Sequence, residues 1–249
     1  MIEPPDRFRN PIPSMSYKAL IAACTLLAST GLSMLSAAEV VVQDEFTAPL
    51  SPKLWKGTPD GVSVANGALL LKAPAADAPP ERAVGTVLTD PEGKLNFLRH
   101  PVTLELDGLD IQGTSADENG VFMLFLSEDK NTSAAKYALQ LRVDRTGNSY
   151  LWLYYLANPG EPQKRAQMAF LPGMQFPIKK VVIQADAKTA KLTITDAAGT
   201  QSDSREWNAE VDPSKWDGAE LYLMLRAVSK KDPGSTDVSI GALKAEASN

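Results

Sequence analysis

A single cysteine and a single histidine are all that 249 residues offer as soft or imidazole ligands, and each scarcity closes a class of chemistry. The usual zinc sets draw three or four ligands mainly from Cys and His, so Cys24 and His100 cannot assemble one. No Ser-His-Asp pattern is recognisable around His100, which sits between Arg99 and Pro101. With one cysteine, no internal disulfide can form, and packing must hold the fold. Basic clusters are missing as well. The formal charge is -5 and no Lys/Arg run stands out, so nucleic acid is excluded as an expected partner. No cofactor is expected.

What is present begins near the N-terminus, where Lys18 precedes the apolar run ALIAACTLLASTGLSMLSAA. A positive residue, an apolar segment and small residues at Ser36 and Ala38 read as a secretory signal over residues 1–38, cleaved after Ala38. A membrane anchor needs about 20 predominantly apolar residues. This run is diluted by Thr25, Ser29, Thr30, Ser33 and Ser36, and past Ala38 no stretch is suited to a span. The acidic and proline-rich residues before Met15 are poor signal chemistry, which points to Met15 as the true start. Ile21, Ala22 and Ala23 before Cys24 also look like a lipoprotein acylation box. Only Ala19 and Leu20 separate that box from Lys18, too few for an apolar region of the usual length. The expected destination is secreted or periplasmic.

From Glu39 onward, short runs of β-branched, leucine and aromatic residues alternate with clusters of Gly, Pro, Asn and Asp, and few segments sustain a helical period. Residues 39–249 therefore read as a single all-β antiparallel sandwich domain. KYALQLRVDRTGNSYLWLYY and KKVVIQADAKTAKLTITDAAGT each hold two strands around a polar turn and predict hairpins. The proline-dense segment from Ala73 to Arg82 reads as a surface loop, and RAQMAFL, bracketed by prolines, as a short edge strand.

Four stretches together resemble the concanavalin A-like jelly-roll superfamily, especially its laminin-G-like and 3-keto-disaccharide hydrolase-like members. They are DEFTAPLSPKLWKG with VSVANGALLL, PVTLELDGLDI with ENGVFMLFLS, VVIQADAKTAKLTITDAAGT, and LYLMLRAV with VSIGALKA. The resemblance spans nearly all of residues 44 to 245 and implies a two-sheet antiparallel jelly-roll sandwich. It speaks to fold rather than activity.

Two sets of residues are candidates for function. TLELDGLD places Glu105, Asp107 and Asp110 at a spacing similar to the E-x-D-x-x-E signature of laminarinase-type glycoside hydrolases. On a strand, Glu105 and Asp107 share one face about 7 Å apart, and a bulge at Gly108 would bring Asp110 round. The third position is an aspartate, one methylene short, and no tryptophan-rich surroundings are present, so a solvated acidic strand is the competing reading.

The second set is a possible carbohydrate surface. In SYLWLYYL, alternation puts Tyr150, Trp152 and Tyr154 on one face and Leu151, Leu153 and Tyr155 on the other. Buried leucines need no polar partner, whereas tyrosine hydroxyls and an indole N–H do, so the leucine face is the expected core. The aromatic stripe is then expected to face solvent, unless a loop such as residues 157–178 covers it. Gln140, Arg142 and Asp144 face one way in the preceding strand. An odd connecting loop allows Arg142 across from Trp152, and an even loop reverses this. Tyr222 and Arg226 in LYLMLRAV are expected on the same surface. The provisional ligand set is Gln140, Arg142, Trp152, Tyr154, Tyr222 and Arg226, with an extracellular glycan as partner.

Asp237 could help bind calcium or be a solvated loop residue, and Asn131-Thr132-Ser133 is a glycosylation sequon. Three functions compete: a non-catalytic glycan-binding domain, a glycoside-cleaving enzyme similar to the 3-keto-disaccharide hydrolases, and a structural envelope domain.

Overall fold

Alternating inward and outward residues dictate two sheets that bury their apolar faces against each other. The computed structural model describes residues 38–56, 59–75, 82–116, 118–156, 160–207, 220–230 and 234–248. The expected signal segment, its cleavage site and Cys24 lie outside these residues, except for Ala38, and so does most of the proline-dense stretch after Ala73. Every helix or strand among the described residues is a strand, and none is a helix able to cross a membrane.

One sheet has nine strands. Its main path is β13 (Thr200–Glu206), β12 (Thr189–Thr195), β11 (Ile178–Ala185), β6 (Val102–Gly113), β15 (Thr236–Ile240), β4 (Ala68–Ala73) and β3 (Val62–Ala65). β16 (Ala242–Ala247) pairs with β6 beside β15, and β1 (Glu39–Asp44) pairs with β16. The other sheet has seven strands: β10 (Lys164–Leu171), β9 (Ser149–Tyr155), β8 (Tyr137–Asp144), β7 (Gly120–Ser127), β14 (Leu221–Ser229), β5 (Arg82–Asp90) and β2 (Trp55–Lys56). All pairings are antiparallel. The arrangement is a jelly-roll sandwich, as the strand pattern and the resemblance predicted.

Both expected hairpins form, as β8–β9 and β11–β12. RAQMAFL falls within β10, the edge strand of the seven-stranded sheet. Segments adjacent in sequence do not always share a sheet: β6 and β7 belong to opposite layers, as do β14 and β15. Leu104, Leu106, Leu124, Leu139, Leu151, Leu153, Leu223 and Leu225 are buried in one core shared by both layers. Burying each such side chain contributes about 1.5–3 kcal/mol.

Two irregularities set which side chains face outward. In β10 the register shifts between Gln167 and Ala169, so Met168 and Ala169 are both buried. The alternation resumes one residue late, and Phe170 points outward with Arg165 and Gln167. In the nine-stranded sheet the alternation skips at one level in adjacent strands. Leu106 and Leu109, Ile178 and Val181, and Ile240 and Leu243 are buried three positions apart. The pairing of Lys180 with Asp107 and of Asp107 with Ala242 keeps its register throughout. A bulge confined to Gly108 was expected; instead the extra outward residue is shared by three neighbours. Gly108 has φ 66°, which a side chain rarely adopts.

The sheets also meet at one edge. Phe170 N donates to Asp203 Oδ2 at 2.9 Å, and Arg205 Nη1 donates to the Gln167 carbonyl at 3.3 Å. Side chains of β13 thus occupy backbone groups on the open side of β10.

Candidate functional site

Because Leu151 and Leu153 turn inward, Tyr150, Trp152 and Tyr154 look away from the core, as the hydrogen-bonding argument required. Strand register then lays side chains in rows across the outer side of the seven-stranded sheet. Phe170, Tyr150, Arg142, Met123, Arg226 and Gly85 form one row. Gln167, Trp152, Gln140, Phe125, Met224 and Val87 form the next. Arg165, Tyr154, Ala138, Ser127, Tyr222 and Thr89 form the third. All six residues of the provisional ligand set lie on this face. Arg142 stands across from Tyr150, and the residue opposite Trp152 is Gln140.

The rings are packed rather than bare. Tyr150 stacks on Phe170 at 4.8 Å and beside Trp152 at 5.9 Å between centroids. Each of three rings carries a guanidinium: Arg165 lies 4.3 Å from the Trp152 centroid, Arg142 5.6 Å from Tyr150, and Arg226 5.2 Å from Phe125. A guanidinium over a ring face is held by the ring quadrupole and keeps its N–H edge available for other contacts. The stripe is therefore half-buried, and partly shielded by its own arginines, not fully open as expected.

Part of the sheet is covered by a loop other than the expected one, with Gln163 of the expected segment joined to it. Residues 164–171 form β10 beside the stripe, whereas the connection after β7 folds back over the central strands. Arg226 Nη2 donates to the Lys130 carbonyl at 3.4 Å, and Lys130 Nζ sits 5.1 Å from the Tyr222 centroid. Gln163 Nε2 donates to the carbonyls of Thr132 and Ala135 at 3.0 and 2.9 Å, which pins that loop. Beneath it Met224, Ala138 and Ser127 are fully buried.

Between loop and sheet lies a depression of about 240 Å³. Met123, Phe125, Gln140, Tyr154 and Arg226 line it, with Thr132, Ser133 and Gln163 on the loop side. Gln140 Nε2 donates to Met123 Sδ at 3.3 Å, and Arg226 Nη2 to Met224 Sδ at 3.3 Å. Gly85 makes room for Arg226: a Cβ there would stand 2.8 Å from Arg226 Cγ and 2.2 Å from the Leu225 carbonyl. Tyr222 is less available than expected. Its hydroxyl donates to Glu220 Oε2 at 2.7 Å, and that carboxylate holds the phenol proton above its ordinary pKa.

Arg165, Phe170, Gln163 and the loop residues Thr132 and Ser133 were not foreseen. Plain alternation sets Phe170 opposite Arg165, and only the shift at Met168 reunites them. Nothing local in the sequence reports where the loop after β7 settles.

The acidic candidates occupy the other layer. Glu105, Asp107 and Asp110 in β6 point outward from the nine-stranded sheet. Glu105 Oε2 is paired with Lys180 Nζ at 2.7 Å, and this contact raises the Lys180 pKa. Asp110 Oδ2 accepts from Gln112 Nε2 at 3.0 Å, and its Oδ1 accepts from Ile111 N at 3.0 Å. On the aromatic face, the one carboxylate at an outward strand position among the described residues is Asp144. It is buried, and its Oδ1 accepts from Thr146 N and Asn148 N, both at 3.1 Å, closing the β8–β9 turn.

His100 lies just before β6, its backbone N–H donating to the Asn96 carbonyl at 2.9 Å. Asp237 is a strand residue between Lys72 and Gln112, not a loop aspartate. Among the described residues no group of three His, Cys, Asp or Glu could hold a metal. Asn131 of the sequon is exposed.

No protein-family model matches the chain, and no curated protein matches it. Solved structures do. An endo-1,3-beta-glucanase from Streptomyces sioyaensis superposes with TM-score 0.56 at 10% identity, covering 85% of this chain and 97% of that one. The laminarinase from Rhodothermus marinus gives TM-score 0.54 at 11% identity over 86% and 99% of the two chains. Lectin I from Ulex europaeus, solved with the methyl glycoside of alpha-L-fucose, gives 0.51 at 11% identity over 85% and 98%. At such identities the likeness concerns the fold alone, a two-sheet antiparallel jelly-roll sandwich.

Proposed function

We propose that the protein is a secreted or periplasmic glycan-binding domain, and that its ligand lies on the outer side of the seven-stranded sheet. The observation that carries this reading is the Tyr150–Trp152–Tyr154 stripe, which runs half-exposed beside a walled depression. Rings that can bury roughly 150–250 Å² each gain by stacking on a sugar. The matched folds belong to proteins whose names include a glucanase, a laminarinase and a lectin, which adds support for carbohydrate as the ligand class.

Within the superfamily the reading favours a laminin-G-like binding member over one similar to the 3-keto-disaccharide hydrolases. Glycoside hydrolysis ordinarily needs two carboxyl groups flanking the bond. The described outward strand positions of the aromatic face carry one, and the turn holds it. Cleavage by Glu105, Asp107 and Asp110 would have to occur on the opposite layer, where Glu105 is tied to Lys180.

Affinity electrophoresis against a panel of neutral and acidic polysaccharides tests the proposal. At least one should retard the protein, and Trp152→Ala should weaken that binding about tenfold or more, as aromatic anchors in binding sites commonly do. Unchanged mobility on every polysaccharide, or full binding by Trp152→Ala, would count decisively against it. Release of reducing sugar by the wild type that is lost in Glu105→Gln would support the hydrolase instead.

A further inference from the structure

We infer that the ligand of this face is an acidic polysaccharide, its carboxylate or sulfate groups read by Arg142, Arg165 and Arg226; this rests on the glycan-binding role proposed above. The chain as a whole carries a net charge of -5. Yet the described outward positions of β5, β7, β8, β9, β10 and β14 hold three guanidiniums against one carboxylate. That carboxylate forms a long ion pair with Arg142, so the strand positions keep a surplus of two positive charges. Asp144 Oδ2 is 4.0 Å from Arg142 Nη2, past hydrogen-bond reach, and the Asp144 side chain is 3% exposed. Arg142 Nη2 donates instead to the Glu118 carbonyl at 3.3 Å, and its Nε is buried without a hydrogen-bond partner among the described residues.

The arrangement suits a charged polymer better than a neutral sugar or a lone anion. Arg165 lies over Trp152 at 4.3 Å, so a neutral ring stacking there must first displace a cation from the indole. An acidic residue can pair with that same guanidinium, whose planar fork matches carboxylate and sulfate oxygens. Arg142 and Arg226 share a row with Met123 between them, two strand spacings or roughly 10 Å apart. Arg165 lies two strands and two rows from Arg142, roughly 16 Å along the backbone surface. Charges so spaced exceed the reach of a single small anion but fit groups repeating along a chain.

The experiment uses affinity electrophoresis of the whole protein in polygalacturonate, dextran sulfate, dextran and laminarin, with a single-stranded DNA oligonucleotide as competitor. Retention should be at least tenfold stronger in one acidic polysaccharide than in dextran or laminarin, and should fall as sodium chloride is raised. Preference between polygalacturonate and dextran sulfate then names the group as carboxylate or sulfate. Arg165→Gln should cost about tenfold, and Arg165→Lys, which keeps the charge but not the fork, about threefold. Lys191→Gln on exposed β12 removes the same charge from the other layer and should leave retention unchanged. Melting curves of each variant separate lost binding from lost fold.

Equal retention in dextran or laminarin overturns the inference while leaving the glycan-binding reading intact. No retention in any polysaccharide defeats both. Displacement by DNA as efficient as by free acidic polysaccharide, or an equal loss in Lys191→Gln, reduces the effect to general attraction between polyions and overturns the inference too.

Discussion

The two outer sides of this sandwich use charge in opposite ways. On the nine-stranded layer, Lys180 meets Glu105 and Lys244 meets Glu246, so cations and anions cancel across or along neighbouring strands. On the seven-stranded layer, arginines lie over aromatic rings. A cation–π contact fixes a guanidinium without cancelling its charge. The first surface joins its charges in ion pairs; the second sets guanidiniums against π-faces. Similar strands in similar pleats thus differ in what holds their cations.

The largest expected effect lies beneath that difference. Leu151→Ala should lower unfolding free energy in urea by about 3 kcal/mol, because the site is sealed and a cavity remains. Val182→Ala on the outer side of β11 should cost under about 1 kcal/mol, and similar losses at both sites would contradict the assigned facing. Next comes Gly85→Ala. The added methyl meets the Leu225 carbonyl and the Arg226 stem, so about 1–3 kcal/mol of strain is expected together with weaker glycan retention. Unaltered melting and retention would show that Arg226 does not depend on that close approach.

Acid should expose a turn on neither face. Asp196 accepts backbone N–H bonds from Gln175, Ala198 and Gly199, which hold its pKa below the usual 3.8. Its stabilising contribution is therefore present above about pH 3.8 and lost as pH falls through the lower folded value. Asp196→Asn should be less stable than wild type at pH 7, with the gap narrowing in strong acid; a gap that widens on acidification would refute this. The smallest effect belongs to the Glu105–Lys180 pair. It is partly exposed, so Glu105→Gln should change stability by under about 1 kcal/mol and leave glycan retention untouched. Because the Lys180 pKa is raised, whatever the pair contributes is complete below about pH 10.5 and fades as pH rises through the folded value.

The contrast between the two layers was half legible in the residues. The facing of β9 followed from one local fact, that leucine needs no hydrogen bond when buried and tyrosine does. The two hairpins were readable for the same reason: their turns are encoded next to their strands. TLELDGLD was not placed so easily. Its spacing matched a catalytic signature, but the layer it occupies is decided by pairing with β11, β15 and β16, all more than sixty residues away in sequence. Arg165 was missed because a shift at Met168 resets the alternation, and period-two reasoning contains no sign of it.

The shared skip at Gly108, Gly241 and their neighbours in β11 has an evolutionary consequence. Losing one residue from β6 there would turn half of that strand inside out, leucines to water and carboxylates to the core. A matching deletion would be required in both flanking chains before pairing and pleat agreed again. Lineages carrying this architecture should therefore tolerate length changes in their connecting segments far more readily than at this level of the sheet, where three separate stretches of gene must alter in concert.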